Sequence, residues 1–319
     1  MFEKILFATT ASPTCDDAAK VAFELSKKNK SELTVFHVFG IPTRGFSTFA
    51  TDVRTGSETE AQDQNYVDLV KEEMETTYEA LMKDHPGCTL EAVVGDPAME
   101  VLRTARKIGA DLIIMGAHTR ADDVGATRHR AVAGSTMQRV ARTARCPVLV
   151  VSRPCITCWS YFANIVVGVD FSKQSGHAFT FARNVAADIG CRLHLFHALD
   201  VGKEGGAVAP DQAYVEKKLE AAKKKIEDKY ISKMEGFDNY VIQIWEGEPY
   251  VEILKYAREA KADLIAMAHH SKDVDPEQAL MGSTLEQVVL RSNCPVVSVN
   301  HPDKVDVSPY GHRPETEEA

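Results

Sequence analysis

Short apolar runs alternate along this chain with longer amphipathic stretches. Residues 5–9, 33–39, 88–94, 111–116 and 148–151 read as strands buried on both faces, because their apolar residues are nearly continuous. Helical periodicity fills the gaps. Ser12 and Pro13 supply an N-cap and a first-turn proline, and Ala18, Ala19, Ala22, Phe23 and Leu25 form an apolar face ending near Ser26. Residues 62–83 give a charged amphipathic helix. Gly95-Asp96-Pro97 turns the chain into a helix over 98–108, and 135–143 gives another. The stretch 40–60 is polar and rich in Gly, Thr and Ser, and reads as a loop.

The pattern then repeats. EKILFATTAS at 3–12 matches ANIVVGVDFS at 163–172, and LTVFHVFG matches LHLFHALD, which sets His37 opposite His197. GADLIIMGAHT, a polar loop and GSTMQRVARTARCPVLVV in one half match KADLIAMAHHS, a shorter loop and GSTLEQVVLRSNCPVVSV in the other. The second half predicts strands at 164–170, 192–198, 239–245, 263–268 and 296–299, with helices at 173–189, 214–232, 250–260 and 283–291. Strictly alternating strands and helices imply a parallel sheet with right-handed crossovers. The predicted fold class is therefore α/β, with two tandem doubly wound domains. Each has a five-stranded parallel sheet and helices on both faces. The expected domains span 1–152 and 163–300, joined by a linker at 153–162 and followed by a polar tail at 301–319 that is free or orders on a partner.

In such a sheet the ligand crevice lies beyond the carboxyl ends of the strands, where strand order reverses. The residues there are 9–12, 37–40 and 115–119 in the first half, and 169–172, 197–200 and 267–271 in the second. Gly134-Ser135-Thr136 and Gly282-Ser283-Thr284 each bring glycine and hydroxyls to a helix start, where free N–H groups and the helix dipole favour a phosphate.

Composition narrows the function classes. At 319 residues with 44% hydrophobic and 26% charged residues, each half can bury a core. A net charge of −9 argues against nucleic-acid binding, and no apolar run suits a bilayer span. MFEKILFATT lacks a signal-peptide layout, so a cytoplasmic location and no membrane partner are expected. Seven cysteines favour reduced thiols, with Cys146 and Cys294 in matching places before a proline.

The whole chain resembles a tandem universal stress protein. The resemblance rests on Asp170-x-Ser172, the histidine of strand two, G-[DE]-P before the third helix, the A-D-L-I run, and the Gly-Ser-Thr and Cys-Pro-Val close of each half. It implies an adenine nucleotide ligand, ATP or AMP with Mg2+, held without turnover in a stress response. It also implies pairing of the two fifth strands as an intrachain pseudo-dimer, further homodimerisation and a protein client. By this resemblance the nucleotide-binding positions are Thr10, Val38, Met115, Gly116, Thr119, Gly134, Ser135 and Thr136. Their counterparts are Asp170, Ala198, Met267, Ala268, Gly282, Ser283 and Thr284.

ATP-binding members of that family follow G-x2-G-x9-G-[ST], and both halves depart from it. The first keeps Gly116 but has Thr119 at the second glycine, fourteen residues before Gly134, and Thr10 for the aspartate. The second keeps Asp170 but has Ala268 and Ser271, with ten residues before Gly282. These losses leave a second reading open: a nucleotide-free scaffold acting through a partner or an apolar ligand. Charge favours phosphate in the first half, whose loop carries Arg120, Arg128, His129 and Arg130, with Arg139 beyond. The second loop carries Asp273, Asp275 and Glu277 against Lys272. Cys155 and Cys158 read as reduced linker thiols in preference to a metal or redox pair, His269 and His270 as a solvated loop, and His37 and His197 as structural histidines. A Walker lysine and a Ser/His/Asp set are absent, so catalytic residues and a protein-bound metal are not expected.

Overall fold

The computed structural model describes residues 2–11, 15–39, 49–51, 58–60, 64–85, 87–117, 134–152, 163–200, 211–234, 236–272, 274–275, 278–301 and 305. The first half runs β1 (Lys4–Thr9), α1 (Asp16–Asn29), β2 (Glu32–Phe39), β3 (Phe49–Thr51), β4 (Glu58–Glu60), α2 (Gln64–Met82), β5 (Cys88–Val94), α3 (Pro97–Ile108), β6 (Leu112–Gly116), α4 (Ser135–Thr143) and β7 (Val148–Val151). The second runs β8 (Asn164–Gly168), α5 (Lys173–Ile189), β9 (Arg192–Leu199), α6 (Gln212–Lys229), β10 (Tyr240–Glu246), α7 (Pro249–Glu259), β11 (Leu264–Ala268), α8 (Ser283–Arg291) and β12 (Val296–Val299).

Ten strands form one sheet in the order β10-β9-β8-β11-β12-β7-β6-β1-β2-β5. Each half contributes five parallel strands, and β12 meets β7 antiparallel, Val297 opposite Leu149. Strand order reverses at β1 and at β8. Right-handed crossovers therefore put α1 and α2 on one face and α3 and α4 on the other, with the second half built alike. The central strands are apolar throughout: Ile5, Ile113, Ile114, Ile165, Val166 and Ile265 are fully buried. Where the halves meet, Gln138 Nε2 of α4 donates to Glu286 Oε1 of α8 at 3.1 Å, and the Asn300 amide donates to the Arg142 carbonyl.

The A-D-L motif has a shared structural purpose. Asp111 Oδ2 accepts the N–H groups of Glu3 and Lys4, and Asp263 Oδ2 accepts those of Ala163 and Asn164. Each aspartate thus ties the start of the fourth strand of its half to the start of the first. The G-[DE]-P motif is less symmetric. Asp96 Oδ1 caps α3 by accepting from Met99 N–H at 2.9 Å, and Arg139 binds its other oxygen at 2.8 Å. Arg139 first, and the cap hydrogen bond second, hold this carboxyl below the usual range. Glu248, its counterpart, makes no side-chain cap. Asp96→Ala should therefore cost about 1 kcal/mol in urea denaturation, and Glu248→Ala only a few tenths. Equal losses would show that the Asp96 cap contributes nothing.

Three expectations are corrected. The 40–60 stretch includes an antiparallel strand pair, β3 with β4, so polar composition hid a hairpin-like element. The C-terminal tail is not wholly free. Val305 is buried and its carbonyl accepts from the Asn184 amide of α5, because an apolar side chain in the polar segment finds the core. The histidine pair is the third, described below. Ser12, Pro13, Cys155 and Cys158 lie outside the described residues, as does loop 118–133 with Thr119 and the arginines at 120, 128 and 130.

Candidate functional site

Both halves open a crevice where the sheet order reverses. The first strand of each ends in a turn through a residue at positive φ, Ala11 at 52° and Phe171 at 64°. Neither is glycine, so each turn holds about 1–2 kcal/mol of backbone strain. In the second half this turn is locked. Asp170 Oδ1 accepts the Ser172 N–H at 2.9 Å and its hydroxyl at 2.5 Å, while Ser172 Oγ caps α5 by accepting from Ser175 N–H. One oxygen of the aspartate expected to face a sugar is therefore committed to its own turn. In the first half Thr10 Oγ1 instead meets Cys15 Sγ at 3.2 Å.

The strand-two histidines are pinned the same way in both copies. His37 Nδ1 lies 2.8 Å from the Thr9 carbonyl, and His197 Nδ1 lies 2.7 Å from the Val169 carbonyl. A carbonyl only accepts, so Nδ1 carries a hydrogen in both, and Nε2 carries the lone pair whenever the ring is neutral. Burial holds the His197 pKa below its ordinary value, against the opposing pull of the Val169 carbonyl and Asp170. Phe171 packs on the His197 ring with centroids 4.5 Å apart.

The second crevice measures about 260 Å³. All seven second-half candidates line it: Asp170, Ala198, Met267, Ala268, Gly282, Ser283 and Thr284. The first crevice, about 120 Å³, is lined by Thr10, Val38, Met115, Gly116, Gly134 and Thr136, whereas Ser135 is exposed and does not line it. Residues 118–133, between β6 and α4, lie outside the described residues.

Both Gly-Ser-Thr turns begin a helix. Gly282 N–H donates to the His269 carbonyl at 2.8 Å, and Gly134 N–H to the Ala117 carbonyl at 3.2 Å. The first helical bond of α8 is Glu286 N–H to Gly282, leaving the N–H groups of Ser283, Thr284 and Leu285 ahead of it. Gly282 has φ of −65°, so glycine is not needed there for its backbone angle. Nor does room demand it, since an added methyl would make only an ordinary contact. A methyl group at Gly282 would stand 3.4 Å from the His269 carbonyl oxygen.

His269 and His270 are not solvated. They are 0% and 6% exposed, and the chain reaches them directly from the buried strand β11. His269 Nδ1 meets Ser298 Oγ at 3.1 Å. Burial first, then His270 and Arg142, push its pKa down to about 4. Sequence reading also passed over Ser175 and Ile253 as crevice walls. The available signal for the histidines was their position directly on the apolar run LIAMA. Among the described residues, no group of three or more His, Cys, Asp and Glu could hold a metal ion, and no helix is long and apolar enough to cross a membrane.

A sequence profile described as the universal stress protein family matches residues 1–152 and again 162–300. The chain belongs to the universal stress protein family. It carries two such domains in tandem. A universal stress protein of Methanocaldococcus jannaschii is 31% identical over 159 residues, spanning 48% of this chain and 84% of that relative. Among solved structures, a universal stress protein from Archaeoglobus fulgidus superposes with a TM-score of 0.63 at 20% identity, covering 94% of this tandem chain and 97% of its own. A functionally unknown protein from Pseudomonas aeruginosa gives 0.61 at 17% identity, covering 95% and 94%. These two likenesses support the fold of a tandem universal stress protein.

Proposed function

We propose that this universal stress protein binds an adenine nucleotide in its second-half crevice and acts by binding, not turnover. The observation that carries this is the convergence of all seven second-half candidates on one cavity with the α8 N-terminus in its wall. The phosphate lies on the N–H groups of Ser283, Thr284 and Leu285, where the helix dipole favours negative charge. The lone pair of His197 Nε2 suits an exocyclic amine or a ribose hydroxyl. Apolar Ile253, Met267 and Ala198 supply contact for a base.

Charge in the loops favoured the first half, whereas the second half brings all seven of its candidates to one cavity. Asp275, the acid of the second loop among the described residues, is less repulsive than its charge suggests. Asp275 is exposed, as is Lys272, so water and salt screen both. Turnover is disfavoured by the lining itself. Among the described residues it contains neither lysine nor arginine to neutralise a transferring phosphoryl group. Asp170 is the one carboxylate among them, so Mg2+ would arrive on the phosphates of ATP and not on a protein cage.

Thr284→Glu and Thr136→Glu test the assignment. An acid near a helix N-terminus favours the helix by about 0.3–1 kcal/mol, so neither change should unfold the protein. It does repel a phosphate. Nucleotide counted after denaturing gently purified protein, and isothermal titration with AMP and with Mg2+-ATP, should fall about ten-fold or more in Thr284→Glu. They should stay unchanged in Thr136→Glu. The reverse pattern would move the site to the first half. No binding by the unaltered protein would leave the scaffold reading.

A further inference from the structure

The sheet ends on one side at β10, and that edge lacks the usual protection of an open strand. Among the described residues, β10 pairs with β9 and no strand pairs with its outer side. The Leu193 N–H donates to the Asn239 carbonyl, and the Gly247 N–H to the Leu199 carbonyl. In a parallel pair the backbone groups of alternate residues face the same neighbour, so Val241, Gln243 and Trp245 turn theirs to β9. Ile242, Ile244 and Glu246 turn theirs outward. Open edges are ordinarily blunted by a charge or a proline within the strand. Tyr240 to Trp245 carry neither, and all are half-buried. The opposite edge of the sheet, β5, keeps a charge. The repeat sets Glu91 of β5 in the place of Gln243, each the middle residue of its strand.

We propose that β10 pairs antiparallel with β10 of a second copy of this chain, across a two-fold axis at Gln243, so that two ten-stranded sheets become one. The strand is self-complementary in that register. Ile242 and Ile244 stand opposite Ile244 and Ile242 of the second copy and exchange both backbone bonds with them, which satisfies the outward groups. Gln243 meets its own equivalent, and Val241 meets Trp245 of the second copy. These are the close, non-hydrogen-bonded positions, where an aromatic and a β-branched side chain support each other. Trp245 is already held edge-on to Phe196 and Tyr256, with centroids 5.9 and 5.3 Å away. Glu246 falls opposite Tyr240, so no like charges face each other along the pairing. The same register at β5 would set Glu91 against Glu91, which is unfavourable. The contact is isologous, so it closes at two copies. It is separate from the β7–β12 seam inside the chain, and it does not depend on what the crevices bind.

Sedimentation equilibrium of the full chain at several micromolar concentrations, without nucleotide, should give twice the chain mass. Gln243→Glu restores at β10 the charge that β5 carries. Glu91 sits half-buried in the matching place of a folded strand, so this variant should keep the native circular dichroism spectrum. Its dimer should be about ten-fold or more weaker, since two carboxylates then face each other at the axis. Gln243→Lys should weaken the dimer likewise, through two ammonium groups. An equimolar mixture of the two variants should recover the dimer as the mixed pair, an outcome that damage to the strand cannot produce. A monomeric unaltered chain would overturn the proposal. So would a dimer of undiminished strength in both variants, which would place the contact elsewhere, or a mixture that stays monomeric. A ladder of larger species growing with concentration would show β10 joining β5 and overturn it as well.

Discussion

Val297→Asp should abolish the folded protein, with a loss exceeding about 4 kcal/mol. Val297 is fully buried at the middle of the ten-stranded sheet, parallel to Ala266 of β11 and antiparallel to Leu149 of β7. Its surroundings there are Phe2, Leu25, Phe181 and Val185, and the amide nearby, that of Asn29, already donates to the Leu25 carbonyl. A carboxylate at this point finds no partner among the described residues. Val297→Ala, which only removes methyl groups, should cost about 2 kcal/mol. The pair of variants also tests cooperativity. Residues Val148 to Val151 of β7 are all buried, and they become an exposed apolar edge once β12 is lost. Circular dichroism should therefore show both halves lost together, and limited proteolysis should leave no protected first-half fragment. A stable fragment near residues 1–152 in Val297→Asp would show that the seam is not needed by the first half.

The seam also shows what the sequence carries openly. Strands buried on both faces are near-continuous apolar runs, and VLVV and VVSV read as such without further information. Alternation of these runs with amphipathic stretches specifies a doubly wound sheet. That the fifth strands pair came only through resemblance, since one apolar strand does not name its neighbour. Other features were hidden for distinct reasons. The β3–β4 pair lies in a stretch whose composition matches loops. His269 and His270 were misjudged because polarity was read where position mattered. They follow directly on the buried strand β11, and both are buried with it. The Asp170 turn was visible as a motif, but its hydrogen bonds to Ser172 were not, because they depend on a positive φ at Phe171 that no propensity suggests. The candidate site was thus legible as a set of positions and illegible as a set of free and committed atoms.

Acid should destabilise this protein well before its carboxylates protonate, and His269 should account for most of the effect. A histidine buried neutral binds a proton more readily once unfolded. The unfolded value is about 6.5 and the folded value about 4, the latter set by burial first and by His270 and Arg142 next. The folded pKa is depressed, so the stabilising contribution is complete above pH about 6.5 and fades as pH falls towards 4. Integrated over that window, it amounts to about 3 kcal/mol. His194 and His197 act in the same direction, each chiefly through burial. Asp263 acts oppositely at the lower end, because burial raises its pKa and its protonation then favours the fold. Urea denaturation of the unaltered protein at several pH values from about 7.5 to about 4.5 should show stability falling steadily below about 6.5. In His269→Leu the same curve should be flatter, by about one proton less taken up on unfolding near pH 5. The comparison is of slopes, since the variant also leaves Ser298 Oγ without the ring nitrogen it meets. Parallel slopes in the two proteins would show that His269 is not the group whose burial acid undoes.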